Sequence, residues 1–328
     1  MSKQIQNIAI MTSGGDSPGM NAAIRAVVRT CVFYKLDPYG IYRGYEGLIE
    51  GDIERFTARK VSNIINRGGT ILKTARSKEF RTVEGRKKAY EQLKKYNIDA
   101  LVVIGGDGSF TGAQIFGNEF DIPIVGIPAT IDNDIFGTDF SIGFDTASNT
   151  ATEAIDKIRD TASSHNRLFF IEVMGRNAGF LALYSGIAGG AEEILIPEEN
   201  IGIDKLVESL RRSKRAGKTS SIVVVAEGDK TGKNVFELAK YVDENLKEYE
   251  SRVVIVGHIQ RGGSPTTFDR VLSSRLGVKA VEVLLDGQTD VMVGYKKNAV
   301  TVTTLKDAIN LKRKINKELL YIVDILTT

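Results

Sequence analysis

The chain of 328 residues has very few of the side chains that form disulfides or zinc sites. Its single cysteine, Cys31, has no partner with which to close a disulfide within the chain. Only His165 and His258 are available as further ligands, so a zinc site built from cysteine and histidine is excluded. This scarcity of cysteine favours a reducing, cytoplasmic location.

Long apolar runs and blocks of a single charge are also absent. No apolar run approaches the roughly 20 residues that span a bilayer, and the first residues lack the apolar core of a secretory signal. The 44 Lys and Arg residues against 41 Asp and Glu residues leave a formal charge of +3, spread along the chain. We therefore expect neither a nucleic-acid partner nor a membrane partner.

Short β-branched runs alternate with longer segments of helical period, which predicts an α/β fold with a mostly parallel sheet. The predicted strands are Ile8–Met11, Ala100–Ile104, Ile124–Ile127, Leu168–Val173, Ile222–Ala226 and Val253–Val256. The predicted helices are Asn21–Tyr34, Arg86–Lys95, Ala147–Ala162, Lys205–Lys214, Val235–Lys247 and Phe268–Leu285. The length suits about two domains, but no linker marks a boundary.

Glycines gather directly after the predicted strands. Because ligands of open α/β sheets bind at the carboxyl ends of strands, these glycine clusters predict one ligand cleft. Two of them, at Gly14 and at Gly105, lead from a strand into a helix, where backbone amides can bind phosphate. Neither matches a P-loop or a dinucleotide fingerprint, so each taken alone is also explained as a tight turn with positive φ.

Three aspartates lie in these loops. Asp107, between glycines, can meet a metal ion that bridges nucleotide phosphates, or it can cap a helix that begins near Ser109. Asp132 and Asp134 would share one face of an extended segment, an arrangement that suits a general base and a second carboxylate that tunes it. An Asx-rich turn is the alternative explanation for this pair.

Arginines and a histidine complete the candidate site. The planar, bidentate guanidinium suits phosphate oxygens, so several arginines at strand ends predict a polyanionic ligand. They are Arg76, Arg81, Arg167, Arg176, Arg252 and Arg261. His258 is either a structural histidine or a hydrogen-bond donor to a sugar or phosphate. Together with the aspartates, these residues favour phosphoryl transfer.

Five motifs, in order and at the family's spacing, resemble the bacterial ATP-dependent 6-phosphofructokinases. They are Ser13–Asn21, Gly105–Ser109, Thr130–Asp134, Met174–Arg176 and Gly257–Pro265, within a resemblance that covers about residues 6–290. The resemblance implies a homotetrameric kinase that uses Mg²⁺ and ATP to convert fructose 6-phosphate to fructose 1,6-bisphosphate. It also implies two similar three-layer αβα domains: 1–143 plus 260–310 for ATP, and 144–259 plus 311–328 for the sugar phosphate.

The resemblance further implies roles for single residues. Asp132 matches the base that takes the proton from the sugar 1-hydroxyl, and Asp107 matches the magnesium carboxylate. The other catalytic positions are Arg76, Thr130 and Arg176, and those at ATP are Gly15, Arg76, Ser77, Gly106, Asp107, Gly108 and Ser109. Those at the sugar phosphate are Thr130, Asp132, Asp134, Arg167, Met174, Gly175, Arg176, Glu227, Arg252, His258 and Arg261. Of these, the resemblance places Arg167 and Arg252 in a neighbouring subunit's site.

Two positions bear on the phosphoryl donor. Gly108 stands where pyrophosphate-dependent relatives carry an aspartate that would repel the α-phosphate of ATP, so the resemblance implies ATP. Ala129 departs from both groups, since ATP enzymes usually have Gly there and pyrophosphate enzymes Lys. The alternatives are a pyrophosphate-dependent phosphofructokinase, a lipid or NAD kinase with a similar glycine turn, and a catalytically silent nucleotide sensor.

The family's effector site, for ADP and phosphoenolpyruvate, is only partly recognisable. The matching residues are Arg25, Arg29, Arg159, Glu192 and Lys218. Basic residues usual in the family are replaced at Ala58, Ala216, Thr219 and Ser220, with Arg59 and Arg215 nearby as compensation. Fewer cations weaken the binding of a polyanion, so we expect weakened or altered effector control.

Overall fold

The computed structural model describes residues 5–165, 167–199, 202–218 and 220–326. Thr219 and the side chain of His165 lie outside this description. Within it, the strands are β1 Asn7–Thr12, β2 Asp37–Ile41, β3 Ile53–Arg55, β4 Ala100–Gly105, β5 Ile124–Pro128, β6 Leu168–Val173, β7 Glu193–Leu195, β8 Ser221–Ala226, β9 Ser251–Ile255, β10 Val291–Lys296 and β11 Ala299–Thr304. None of the helices described combines the length and apolar character that crossing a bilayer requires.

The helices of the described residues follow in chain order. They are α1 Met20–Phe33, α2 Gly44–Glu50, α3 Val83–Lys95, α4 Asp107–Phe120, α5 Phe144–His165, α6 Phe180–Ala188, α7 Ile203–Arg215, α8 Val235–Asn245, α9 Thr267–Leu285, α10 Leu305–Asn310 and α11 Lys317–Leu326. Short 3₁₀ helices occur at Glu79–Arg81 and Gly257–Arg261. The predicted strands and helices are confirmed, each with ends within about three residues.

The chain divides into two compact units. Unit 1 comprises Met1–Ile131, Ile135–Thr146 and Arg261–Arg313, and unit 2 comprises Asp132–Asp134, Ala147–Gln260 and Lys314–Thr328. Unit 1 contains a sheet of order β11-β10-β5-β4-β1-β2-β3, and unit 2 contains a parallel sheet of order β7-β8-β6-β9. The six predicted strand ends therefore divide three and three between two sheets. Which ligand each unit binds stays a prediction.

The sheet of unit 1 is covered by helices on both faces. Ile8 and Ile10 of β1 pack into one apolar cluster with α1 and α9, whereas Ala9 and Met11 pack into another with α2, α3 and α4. Because alternate side chains of a strand point to opposite faces, a continuous apolar run is what a strand covered on both faces requires. This pattern buries β1 on both faces up to the point where its loop begins.

Both edges of the unit 1 sheet are antiparallel, which the sequence did not predict. At one edge β2 pairs with β3, and β2 contains Pro38 and Gly40, residues that are depleted in strands. At the other edge β10 and β11 form a hairpin whose two turn residues, Lys297 and Asn298, have φ of 50° and 64°. Positive φ at both positions is the geometry of a type I′ turn, and Asn favours it.

A buried carboxylate joins α5 to α9 within unit 1. Asp269 of α9 is fully buried and accepts hydrogen bonds from the backbone N–H of Gly143 at 2.9 Å and of Thr146 at 2.8 Å. The Thr146 hydroxyl donates to the same carboxylate at 2.5 Å. Burial raises the pKa of Asp269 to about 6, and these hydrogen bonds oppose the rise. The carboxylate therefore fixes the beginning of α5, although its charged form is destabilised because burial removes it from water.

Asp269 makes stability depend on pH in a defined direction. A carboxyl whose pKa is about 6 in the fold and 3.8 as its ordinary value binds more protons when folded, so stability is lost as pH rises between these values. We expect this group to lower the free energy of unfolding by on the order of 2 kcal/mol between pH 4 and pH 6.5. Asp269→Asn removes the titrating group and one hydrogen-bond acceptor. The free energy of unfolding of wild type should therefore lie well above that of the variant at pH 4, and the difference should shrink as the pH rises.

Urea unfolding curves of both proteins, recorded by circular dichroism from pH 4 to pH 7, measure this difference. A gap between wild type and Asp269→Asn that stays constant over the range would contradict the predicted titration.

Candidate active site

Three loops of unit 1 begin at one edge of its sheet and are joined by backbone contacts. The Ser13 N–H donates to the Ile104 carbonyl at 3.0 Å, and the Ala129 N–H donates to the Gly105 carbonyl at 2.9 Å. A Cβ on Gly105 would lie only 2.5 Å from the Ser13 carbonyl oxygen. The pairing of β1, β4 and β5 thus continues past the strand ends and fixes the loops relative to one another.

The second of these loops opens α4. The helix begins at Asp107, two residues before Ser109, with Gly106 as its N-cap. Asp107 therefore lies exposed in the first turn, where the helix dipole favours a negative charge, and does not cap the helix. A Cβ on Gly108 would meet no atom within 4 Å. The side-chain position of Gly108, in the first turn of α4, is therefore open, next to a helix N-terminus of the kind that binds anions.

Arg261 lies across the first loop. Its Nη1 donates to the Asp16 carbonyl at 3.2 Å, and a Cβ on Gly15 would come within 2.6 Å of the same nitrogen. The prediction grouped Arg261 with the sugar-phosphate residues, whereas the structure packs it on Gly15, one of the residues predicted at ATP. A glycine at position 15 is therefore needed for the guanidinium to approach the loop backbone.

Arg76 and Ser77 follow the irregular segment after Leu72. Arg76 is exposed, and the Ser77 hydroxyl accepts a hydrogen bond from the Phe80 N–H at 3.2 Å. Phe80 in turn stacks on Tyr45, with ring centroids 4.0 Å apart, and the Tyr45 hydroxyl donates to the Ser109 carbonyl at 2.5 Å. This chain of contacts connects Ser77 with the first turn of α4.

The loop after β5 carries the two aspartates. It is not extended, because Asn133 between them has φ 54°, and the expectation that both carboxylates share a face is wrong. Asp132 is 4% exposed, whereas Asp134 is exposed. A turn, the alternative explanation, is what forms. The start of the loop is held at Thr130, whose carbonyl accepts a hydrogen bond from the Ser141 hydroxyl at 2.6 Å.

Ala129 also lies in this loop. It is 1% exposed and forms an isolated parallel bridge with Ile142. Its methyl group packs in the apolar cluster that contains Ile127 and Ile142. The methyl that distinguishes this residue from glycine is thus accommodated by the core of unit 1.

In unit 2, the end of β6 and the end of β8 meet. The Arg176 N–H donates to Glu227 Oε1 at 2.6 Å, and a Cβ on Gly228 would lie 1.9 Å from the Arg176 carbonyl oxygen. Gly175 and Arg176 have φ of 142° and 53°, which is the left-handed region. This contact turns the loop sharply and leaves the Arg176 side chain exposed.

The segment after β9 lies close to two further residues that were predicted at the sugar phosphate, Met174 and His258. Gln260 is fully buried, and its Oε1 accepts from the Met174 N–H at 3.0 Å. His258, two residues earlier, is exposed. Sequence reasoning missed Gln260, although it lies inside the Gly257–Pro265 motif. The amide connects the Met174 loop with the segment that carries His258.

Arg167 and Arg252 share a carboxylate that sequence reasoning also missed. Arg167 Nε lies 3.2 Å from Glu250 Oε2, and Arg252 Nη2 contacts Glu250 Oε1. Hydrogen bonds from Arg167 and then from Arg252 lower the pKa of Glu250. An anion that binds both guanidinium groups therefore competes with Glu250. In the sequence, only the position of Glu250 two residues before Arg252 could have pointed to this contact.

The residues predicted at an effector site form two groups. In unit 2, Arg159 Nη1 lies 3.6 Å from Glu192 Oε1, and Lys218 Nζ lies 4.0 Å from the same oxygen. In unit 1, Arg25 and Arg29 lie one turn apart on α1, and burial together with Arg29 lowers the pKa of Arg25. Each group carries an excess of positive charge, as an anion site requires.

The metal-binding capacity of these residues is small. Among the described residues, no group of three or more His, Cys, Asp and Glu side chains could hold a metal ion. Asp107 therefore offers one carboxylate at the open end of α4. Mg²⁺ is typically held by one or two carboxylates together with substrate phosphates and water, so this donor set fits Mg²⁺ bound with a nucleotide.

Residues 7–284 match the family model named phosphofructokinase. The chain belongs to the phosphofructokinase family. It is 53% identical to ATP-dependent 6-phosphofructokinase 2 of Bacteroides thetaiotaomicron, over 97% of this chain and 98% of that protein. It is 56% identical to ATP-dependent 6-phosphofructokinase of Halalkalibacterium halodurans, over 96% and 97% of the two chains. The resemblance drawn from the five motifs is confirmed.

Solved structures of the family confirm the fold. Phosphofructokinase from Saccharomyces cerevisiae superposes with a TM-score of 0.90 at 37% identity over 98% of this chain, which spans 47% of the yeast chain. A pyrophosphate-dependent phosphofructokinase from Marinobacter aquaeolei superposes with a TM-score of 0.84 at 22% identity, over 96% of this chain and 86% of that one. The latter likeness concerns the fold alone.

Two glycine-to-alanine substitutions separate backbone contact from open space. Gly228→Ala places a Cβ against the Arg176 carbonyl, so we expect a loss of about 1–3 kcal/mol in stability. Gly108→Ala, in the first turn of α4 with nothing within 4 Å, should be neutral or up to about 1 kcal/mol more stable. Thermal unfolding by calorimetry compares the two. Equal destabilisation by both would refute this account of the glycine loops.

Proposed function

We propose that this chain is an ATP-dependent 6-phosphofructokinase, which transfers the γ-phosphoryl group of ATP to the 1-hydroxyl of fructose 6-phosphate. The products are ADP and fructose 1,6-bisphosphate, and the reaction takes place in the cytoplasm as a step of glycolysis. The observation that carries the proposal is the open side-chain position of Gly108 in the first turn of α4, in a chain 53–56% identical to proteins named ATP-dependent 6-phosphofructokinase.

We assign the phosphates of ATP to the glycine loops of unit 1. The N-terminus of α4 supplies backbone N–H donors and the positive end of the helix dipole. An added carboxylate at position 108 would fill the open space with negative charge, whereas glycine leaves it to the nucleotide. The residues in this role are Gly15, Arg76, Ser77, Gly106, Asp107, Gly108 and Ser109.

Asp107 would hold Mg²⁺ at the phosphates. When bound there, the ion would neutralise negative charge on the phosphates of the donor. Arg76 is exposed three residues beyond Lys73 and would steady the phosphoryl group during transfer, because a guanidinium binds phosphate oxygens through two parallel donors.

Asp132 is assigned as the general base. Its burial, at 4% exposed, keeps the carboxylate shielded from water, so that it serves the sugar hydroxyl. The carboxylate takes the proton of the 1-hydroxyl while that oxygen forms a bond to the γ-phosphorus. The bond between the γ-phosphorus and the bridging oxygen breaks, and ADP leaves with the electron pair. Thr130 and Arg176 are assigned as further catalytic residues of this step.

The sugar phosphate is assigned to the residues that the family motifs match, most of which lie in strand-end loops of unit 2. Arg176 and Glu227 are held together by the contact at 2.6 Å, so the loop that carries the guanidinium is already formed. The full set is Thr130, Asp132, Asp134, Arg167, Met174, Gly175, Arg176, Glu227, Arg252, His258 and Arg261. Arg167 and Arg252 would serve a neighbouring subunit of a homotetramer.

Effector control is assigned to the two groups of cations around Glu192 and on α1. Arg159 already donates to the carbonyls of Gly189 at 2.7 Å and Gly190 at 2.5 Å, which engages part of its capacity for an anion. We therefore expect ADP and phosphoenolpyruvate to act more weakly than at a site with a full set of cations.

A coupled assay for fructose 1,6-bisphosphate tests the proposed function. Fructose 6-phosphate and Mg²⁺ are supplied with ATP in one series and with pyrophosphate in another. The proposal predicts product with ATP alone. Product with pyrophosphate alone would show that the donor is misassigned, and product with neither would refute the kinase assignment.

Asp132→Ser tests the base. We expect kcat to fall by about 10²–10⁴-fold, because the proton acceptor is lost. ATP affinity, measured by calorimetry, should change by less than about twofold, because the donor contacts remain. The matched control is Asp286→Ser, at the exposed C-cap of α9, with kcat as in wild type. Near-normal turnover of Asp132→Ser would overturn the assignment.

A further inference from the structure

The irregular segment 66–73 leads directly to Arg76, yet it contains no helix or strand of its own. A segment of this kind does not fix its own path, because backbone groups that are unpaired in regular structure must be satisfied elsewhere. A turn from Thr70 to Lys73 and the hydrogen bond from the Arg43 N–H to the Leu72 carbonyl hold part of this path, and side chains outside the segment hold the rest. Those side chains come from two of the five motifs and from Thr12 at the end of β1, and they have no role in the proposed function as described so far.

Asn21, the last residue of the Ser13–Asn21 motif, makes the largest number of these contacts. It is 1% exposed in the first turn of α1. Its Nδ2 donates to the Arg67 carbonyl at 3.0 Å and to the Gly68 carbonyl at 3.1 Å. Its Oδ1 accepts from the Ile71 N–H at 2.7 Å. One buried amide thus satisfies three backbone groups spread over five residues.

Thr12, at the end of β1, holds the far end of the same segment. Its hydroxyl lies 2.9 Å from the Thr70 hydroxyl oxygen and donates to the Lys73 carbonyl at 2.9 Å. Lys73 has φ 59°, the left-handed region that is unfavourable for a residue with a Cβ. The hydrogen bond from Thr12 thereby helps to hold a strained turn three residues before Arg76.

The Gly257–Pro265 motif holds the opposite end. The Ser264 hydroxyl donates to the Asn66 carbonyl at 2.8 Å, and a Cβ on Gly68 would lie 2.3 Å from the Gly263 carbonyl oxygen. The segment therefore passes so close to the second motif that position 68 has no room for a side chain. Both contacts lie within unit 1.

We propose that Asn21 is a positioning residue for phosphoryl transfer, which holds segment 66–73 and thereby sets the place of Arg76 at the donor phosphates. The inference rests on the proposed function, because Arg76 is assigned its role there. Both amide donors of Asn21 are used in hydrogen bonds to the segment. Asn21 therefore acts on the reaction through the backbone that it holds. A displacement of about 1 Å in a positioning group can lower a rate by about 10²-fold.

The test compares Asn21→Ala with wild type in ATP-dependent turnover. We expect kcat to fall by about 10–100-fold, while the KM for fructose 6-phosphate stays within about twofold. Thr12→Val, which preserves shape in a buried strand and replaces the hydroxyl with a methyl group, should lower kcat in the same way and serves if Asn21→Ala fails to fold. Normal kcat in a folded variant of either kind overturns the inference.

A control distinguishes positioning from loss of stability. Asn234 caps α8 of unit 2, with its side chain accepting from the Phe236 and Glu237 N–H groups. Asn234→Ala should lower the melting temperature by a few degrees and leave kcat unchanged. If Asn234→Ala lowers kcat as much as Asn21→Ala at equal melting temperature, the effect of Asn21 is merely structural.

A double-mutant cycle shows whether Asn21 acts through Arg76. In an Arg76→Ala background, Asn21→Ala should change kcat by less than about threefold, since the group it positions has gone. Full additivity of the two losses overturns the inference. Failure of the proposed function is recognised separately, because then wild type itself forms no fructose 1,6-bisphosphate from ATP.

Discussion

The architecture of unit 1 depends on backbone pairing that continues past the ends of its central strands. The contacts from Ser13 to Ile104 and from Ala129 to Gly105 extend the ladders between β1, β4 and β5 into their loops. Loops are ordinarily joined to the sheet only at their ends, whereas these loops are also joined to their neighbours by backbone hydrogen bonds beyond the strands. The groups that the motifs predict to bind phosphate lie in these loops, and positioning them before a ligand arrives would lower the entropy lost on binding.

Glycine serves two opposite purposes in these loops. At Gly105 and Gly228 it lets one backbone approach another, since a Cβ would lie 2.5 Å or less from a carbonyl oxygen. At Gly108 it leaves space that no protein atom fills. The first purpose concerns the fold and the second concerns the ligand. The same residue type in one motif therefore has different consequences when substituted, and the structure separates them.

The apolar pattern of the sequence predicted the central strands and helices, because strands buried on both faces are nearly continuous runs of Val, Ile and Leu. It did not predict β2, where proline and glycine obscure the strand, or the division of the strands into two sheets. Carboxylate and amide partners such as Glu250 and Gln260 were missed, because their contacts depend on tertiary packing. The motifs predicted which residues bind phosphate, whereas the contacts that hold those residues, such as the hydrogen bonds of Asn21, required coordinates.

The central claim is that phosphoryl transfer takes place from ATP to the 1-hydroxyl of fructose 6-phosphate. ³¹P NMR of a reaction supplied with ATP, fructose 6-phosphate and Mg²⁺ tests it most directly, because donor, acceptor position and leaving group are observed together. The account predicts a new sugar 1-phosphate resonance that grows at the rate at which the γ-phosphate resonance of ATP disappears. Release of inorganic phosphate in place of that resonance, or phosphate at another sugar position, would contradict it.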